Sequence, residues 1–260
     1  MDANALAHRL LNARAAATAL PLSDWIDGPH TMEDGYAIQA AGARILTEDQ
    51  GWSHIGWKIG GTNQAARDML SIDEPIYGRL YGRCWDDSGF TFRATSTHKV
   101  WEPEIAIELA RDLAPSDGPF DAVQIEAATA SLRPAIEIAG TCLDPWLEAG
   151  APSLIADNGI HGHWVTGEPV TDWSGIDLMD APITMSVNGE TREGAGRAVD
   201  GGCFGAAAWL ANCLASHGIH LKSGQLISTG TVTAPPPVEA GQMVIADFGP
   251  LGTISAESLP

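Results

Sequence analysis

Val100-Trp101-Glu102-Pro103-Glu104-Ile105-Ala106-Ile107-Glu108-Leu109 is the stretch on which the fold turns. It alternates strictly, so it reads as a β-strand with two unlike faces. One face carries Trp101, Pro103, Ile105, Ile107 and Leu109 and is core. The other carries Glu102, Glu104, Ala106 and Glu108. Three carboxylates on one face repel unless water or a cation separates them. Two readings stand side by side here. One is a solvated sheet edge, which Pro103 supports because proline cannot donate to a central ladder; the other is a cation site.

The next informative stretch lies about thirty residues on. In Pro134-Ala135-Ile136-Glu137-Ile138-Ala139-Gly140, Glu137 is the one charge in an apolar strand, with small neighbours at Ala135 and Ala139. A buried glutamate without a partner is costly. Glu137 is therefore either in a core salt bridge, with Arg133 or Lys58, or a third ligand beside Glu102 and Glu104. Three carboxylates completed by water suit Mg2+ or Mn2+ rather than zinc.

Outward from these strands the pattern changes in character. Residues 3–20 and 31–46 have helical spacing, with Thr31 as N-cap, and 63–70 reads as a short helix. Between them His54-Ile55-Gly56-Trp57-Lys58-Ile59 reads as a strand. Beyond residue 80, strands are expected at 100–109, 134–139, 183–187, 225–229, 243–248 and 253–256. Helices are expected at 123–130 and 205–216, and a hairpin at Gly249-Pro250-Leu251-Gly252. Strands without regular helical crossovers predict an α+β fold with a curved, mostly antiparallel sheet. The division is a helix-rich N-terminal part over 1–85, contributing Lys58, and a β-rich core over 86–260. The boundary is soft, and one domain is an open alternative.

Composition narrows the function. With 260 residues, 14 Lys+Arg and 33 Asp+Glu, the net charge is −19, yet charged residues are only 18 %. No basic cluster is present, which argues against a nucleic-acid or anionic-membrane partner. An anionic substrate would need a local cation. Cys84, Cys142, Cys203 and Cys213 are far apart and form no CxxC, as expected of reduced thiols in a cytoplasmic protein. No apolar run is long enough to span a bilayer, and the N-terminus does not read as a signal peptide.

Glu102-x-Glu104 followed by Pro134-Ala135-Ile136-Glu137-Ile138 resembles the fumarylacetoacetate hydrolase superfamily, more closely its 2-oxopent-4-enoate hydratase and 4-oxalocrotonate decarboxylase branch. Gly56-Trp57-Lys58-Ile59-Gly60, Glu74-Pro75-Ile76-Tyr77-Gly78-Arg79-Leu80, Ile155-Ala156-Asp157-Asn158, Gly194-Ala195-Gly196 and Ile227-Ser228-Thr229-Gly230-Thr231 carry the resemblance along most of the chain. It implies a β-roll core, a homo-oligomer, and Glu102, Glu104 and Glu137 as ligands of Mg2+ or Mn2+. It implies Lys58 as the cation beside a small anionic 2-oxo acid, with Ile76, Asp157, Asn158 and Thr229 as substrate contacts.

Two positions depart from the family pattern. Hydratases of the family carry an aspartate where this chain has Ile76. Serines that often follow Asp157-Asn158 are replaced by Gly159-Ile160-His161-Gly162-His163; His161 and His163 are candidate acid/base groups or, equally, ordinary loop histidines, the latter reading being favoured slightly for His163. The expected activity is a metal-dependent lyase of aromatic catabolism, a hydratase of 2-hydroxydienoates or 2-oxo-enoates. The alternatives are a 4-oxalocrotonate-type decarboxylase, a C–C hydrolase of an acylpyruvate, or an inactive partner subunit paired with another pathway enzyme.

Overall fold

The computed structural model describes residues 1–260. Helix α1 (Ala3–Ala15) is capped by the Asp2 side chain, and α2 (Met32–Arg44) by Thr31, whose hydroxyl accepts from the Asp34 amide at 3.1 Å. Between them lies β1 (Leu20–Pro21). Strand β2 (His54–Gly60), helix α3 (Gln64–Leu70) and β3 (Ile76–Tyr81) follow, then β4 (Trp85–Asp87), β5 (Phe90–Arg93) and the long β6 (His98–Leu109). After α4 (Ala122–Glu126) come β7 (Thr129–Gly140), β8 (Leu143–Asp144), α5 (Ala151–Ala156) and β9 (His161–Thr166). The remainder is β10 (Ile183–Val187), β11 (Glu190–Gly194), α6 (Gly202–Ser216), β12 (Leu226–Thr231), β13 (Gln242–Asp247) and β14 (Thr253–Leu259).

Seven strands form one mixed sheet in the order β3-β2-β12-β6-β7-β9-β4, with β12·β2 and β4·β9 parallel and the rest antiparallel. A five-stranded sheet, β11-β10-β13-β14-β5, lies against it. The largest apolar core joins the two sheets and α6 through Trp101, Ile105, Ile107, Ile136, Ile138, Val244, Ile254 and Leu210. The expected α+β class with a curved, mostly antiparallel sheet describes this architecture. Strands β2 and β3, from the N-terminal part, are built into the same sheet as β6 and β7. A second core gathers α1, α2 and α5 through Leu6, Leu10, Ile38, Ala41 and Leu154.

Strand β6 is the fourth of seven, so it is not an edge, and Pro103 is buried. The edge expectation fails for a specific reason. Trp101 donates to Pro236 and Val232 donates to the Pro103 carbonyl, so the odd residues of β6 bond on the β12 side. There the register jumps between Ser228 and Thr231, a bulge in β12. Pro103 sits where the ladder is already interrupted, and its missing N–H goes unused. Gly230 allows the bulge with φ of 101°, where a Cβ would run into Thr62.

Other elements differ from expectation by pairing. Helix α4 stops at Glu126 and β7 begins at Thr129, because its first residues pair with the end of β6, Leu109 opposite Thr129. Helix α1 ends at Ala15, and Leu20–Pro21 pairs in parallel with β8. All four cysteines are free thiols. No helix is long and apolar enough to cross a membrane.

Candidate metal centre

Antiparallel register places Glu102 of β6 directly opposite Glu137 of β7, and Glu104 opposite Ala135. Across-strand pairs share a face, so the three carboxylates converge by backbone geometry alone. Their ligand oxygens all lie within 4.8 Å of one another. Glu104 and Glu137 have no exposure, and Glu102 is half-buried. Glu108, the remaining carboxylate of that face, departs from the group: Arg133 lies 3.5 Å from it and Ser131 donates to it at 2.9 Å.

Lys58 reaches the same face from β2. Ser228 of β12 pairs with Lys58 on one side and Ala106 of β6 on the other, which fixes the lateral spacing. The ammonium is 1 % exposed, lies 3.4 Å from Glu137 Oε2 and donates to the Gly159 carbonyl at 3.0 Å. Gly78, opposite Lys58 in β3, has to be glycine, since a Cβ there would meet the Asn158 carbonyl and the Lys58 stem.

The electrostatics follow from burial and proximity. Burial pushes Glu102 up to about 7, with Lys58 opposing and Glu137 adding. Burial, then Glu137 and Glu102, holds Glu104 well above the usual carboxylate range. Glu137 is the exception: burial acts upward, but Lys58 and His161 outweigh it and keep its pKa low. Burial would lower the Lys58 ammonium, and the three glutamates raise it instead.

Both Glu104 oxygens and Glu137 Oε2 are buried without a hydrogen-bond donor. The Gly230 amide approaches Glu104 without closing a bond. Orphaned buried acceptors are rare, and three carboxylates, once ionised, facing one ammonium leave an excess of two negative charges. An all-oxygen donor set short of two positive charges fits a hard divalent cation.

His161 opens β9, and its Nδ1 lies 2.9 Å from Glu137 Oε1. An ionised carboxylate only accepts, so Nδ1 carries a proton, and in the neutral ring the lone pair is then on Nε2; Nε2 is buried with no partner. His163 goes elsewhere, bonded to Asp86 at 2.8 Å and stacked on Phe90. Ile76 is buried beside Lys58: a side chain on Gly60 would touch both.

Three of the expected substrate contacts have hydrogen-bond partners within the fold. Asp157 is occupied within the fold: Arg14 Nε binds one oxygen, and Thr141 Oγ1 at 2.5 Å and the Cys142 amide at 3.0 Å bind the other. Thr229 spends its hydroxyl in the β12 bulge, donating to the Ile105 carbonyl at 2.6 Å. Asn158 is likewise tied to the Arg79 backbone, accepting at 2.8 Å and donating at 2.9 Å. Sequence inspection missed Arg14, which carries no signal in a helix, and Ser228, whose hydroxyl is buried and unpaired beside Lys58.

Residues 158–160 form a left-handed turn, with φ of 56° at Asn158, 61° at Gly159 and 59° at Ile160. For a non-glycine residue this costs about 1–2 kcal/mol. Two cavities flank the centre. One of about 920 Å³ is lined by Glu102, Asn63, Ala66, Ala195, Arg197 and Thr231. The other, about 530 Å³, is lined by Arg14, Tyr81, His98, Asn158 and His161.

Comparison with known proteins places the chain in a family. The fumarylacetoacetate (FAA) hydrolase C-terminal family model matches residues 85–257. The chain is 35 % identical over 245 residues to the 2-hydroxyhexa-2,4-dienoate hydratase of Comamonas testosteroni, covering 91 % of this chain and 90 % of that one. It is 31 % identical to the 4-oxalocrotonate decarboxylase of Pseudomonas sp. (strain CF600), covering 97 % and 95 %. Among solved structures, the 4-oxalocrotonate decarboxylase from Pseudomonas putida G7, complexed with magnesium and adipate, superimposes with a TM-score of 0.88 at 28 % identity, covering 99 % and 97 %.

Proposed function

Because the chain belongs to the fumarylacetoacetate hydrolase family, we propose that it is a divalent-metal-dependent lyase that adds water to a small 2-hydroxydienoate or 2-oxo-enoate. The observation that carries this reading is the convergence of half-buried Glu102 with buried Glu104 and Glu137, ligand oxygens within 4.8 Å of one another, three oxygens of Glu104 and Glu137 without a hydrogen-bond donor, and one ammonium beside them. The hydratase and decarboxylase relatives support the substrate class.

Glu102, Glu104 and Glu137 would hold Mg2+ or Mn2+, which supplies Lewis-acid charge to a chelating 2-oxo acid. Lys58 is a fixed second cation, held by Gly159 and Glu137, against which negative charge on the substrate oxygen is stabilised. His161 Nε2 is a proton acceptor aligned by the Glu137 bond at Nδ1. Hydration places a proton on one alkene carbon and a water oxygen on the distal one. Ile76 presents an apolar wall beside Lys58 and excludes water there.

That wall favours decarboxylation as the second reading, since the aspartate that family hydratases carry at this position is missing. The test uses metal-stripped protein, with Mg2+ or Mn2+ returned together with a 2-hydroxydienoate or, separately, a 2-oxo-enedioate. A product heavier by one water supports hydration, and CO2 release moves the assignment to the decarboxylase. Silence with both substrates while metal binds sinks the lyase reading.

A further inference from the structure

The left-handed turn 158–160 contains Ile160, a β-branched residue that is an outlier in this region of backbone space. Such a turn persists only where its surroundings over-determine it. One side chain contacts both of its ends. Arg14, in the last turn of α1, places Nε on the Asp157 carboxylate and Nη2 on the Asp157 carbonyl at 2.9 Å, before the turn. Its Nη1 donates to the His161 carbonyl at 2.8 Å, after the turn, and Nη2 also donates to Gly140 at 2.8 Å. Gly140 ends the strand that carries Glu137.

We propose that Arg14 is a positioning residue: its guanidinium holds the turn 158–160 so that the Gly159 carbonyl meets Lys58 and the His161 imidazole meets Glu137. The planar fork is what the task needs. One guanidinium presents five N–H groups in fixed directions and ties β7 to the turn, whereas an ammonium is a point charge with rotating donors. Ile160 belongs to the same apolar cluster as Leu6 and Leu10 of the helix that carries Arg14. Arg14 itself touches none of the three glutamates.

The proposal rests on the lyase reading only for its turnover measurement. Arg14→Ala and Arg14→Lys would be made in the full chain. In metal-free protein, hydrogen exchange at 157–163 is expected to accelerate while α1 stays protected. With metal, kcat is expected to fall about 100-fold, the cost of a displacement near 1 Å, with KM changing less than about threefold and Arg14→Lys intermediate. Because Arg14 lines the 530 Å³ cavity, added guanidinium is expected to enter and restore kcat at least tenfold in Arg14→Ala, and to leave the wild type unchanged.

A kcat per folded molecule within about twofold of wild type would overturn the proposal, as would exchange that rises along α1 and not at 157–163. So would a defect that guanidinium does not relieve, because Arg14 would then be a helix anchor only. If Arg14→Ala does not fold, Arg14→Lys is judged by the same exchange and kcat limits. Should the wild type turn over none of the substrates, the lyase reading fails while the exchange experiment still decides the role of Arg14.

Discussion

Glu104→Gln moves stability and metal affinity in opposite directions, and the structure gives the scale of both. Glu104 is buried with no hydrogen-bond donor on either oxygen, and the group's oxygens lie within 4.8 Å. Two unit charges 4.8 Å apart repel by about 3.5 kcal/mol at an effective dielectric of 20. Partial protonation relieves some of that, so a neutral amide able to donate to Glu102 or Glu137 stabilises the metal-free protein by about 1–3 kcal/mol. For a chain of this size that raises Tm by about 2–12 °C.

Metal binding goes the other way. A metal at 100 times its Kd stabilises the wild type by about 2.7 kcal/mol, or about 5–11 °C. Losing one carboxylate ligand at about 2.7 kcal/mol weakens binding about 100-fold, so the same concentration gives the variant only about 0.4 kcal/mol. Thermal melts should therefore separate the two effects: the variant melts higher in chelator and gains far less from Mn2+, and where its metal-free gain is below about 2.3 kcal/mol it melts lower than the wild type with metal. A variant that kept the wild-type metal shift, or melted several degrees lower in chelator, would refute a metal-binding role for Glu104.

Three further outcomes are expected. Lys58→Met leaves the buried carboxylates without their ammonium and lowers the stability of the chelated protein by about 3–5 kcal/mol; Mn2+ titration should show tighter binding with turnover lost. His161→Ala removes the Nε2 base and lowers kcat by about 100- to 10,000-fold, while the Mn2+ affinity measured by calorimetry stays within about tenfold. Burial, with Arg79 beside it, pulls His54 down to about 4, and burial with His163, Arg14 and Lys99 does the same to His98. As pH falls from about 6.5 to 4 the unfolded chain takes up protons that these folded histidines refuse. Stability then drops by up to about 1.4 kcal/mol per pH unit for each. Urea melts of His54→Gln/His98→Asn should show a shallower fall over that range than the wild type.

Much of the centre was legible because it is written in strand alternation. Glu102 and Glu104 share a face by the period of two, and Glu137 stands out as the lone charge in an apolar strand. Their convergence needs only antiparallel register, a local property. Pro103 misled because its lost hydrogen bond coincides with a bulge on another strand, about 125 residues along the chain. Strand β9 was hidden by Gly162 and two histidines, which read as a loop until β7 is there to pair with it. Arg14 was invisible for the same reason: its partner Asp157 is 143 residues away, and an arginine in a short amphipathic helix looks like any solvated residue.

The acidity of the chain gains a specific meaning at this point. A net charge of −19 should repel the small anions that the proposed chemistry requires. Locally the sum differs. Once ionised, the three carboxylates and Lys58 leave two negative charges on largely buried oxygens, where solvent and salt screen them only weakly. One divalent ion would bring that sum to zero, and the next anion to enter would meet a neutral site containing two positive centres instead of a negative wall. The same neutrality explains why Lys58 is buried at all: without it, the triad and a divalent ion would retain a net charge in the interior, the state that burial penalises most. A single buried lysine thus makes the triad compatible with folding before metal arrives and with anion binding after.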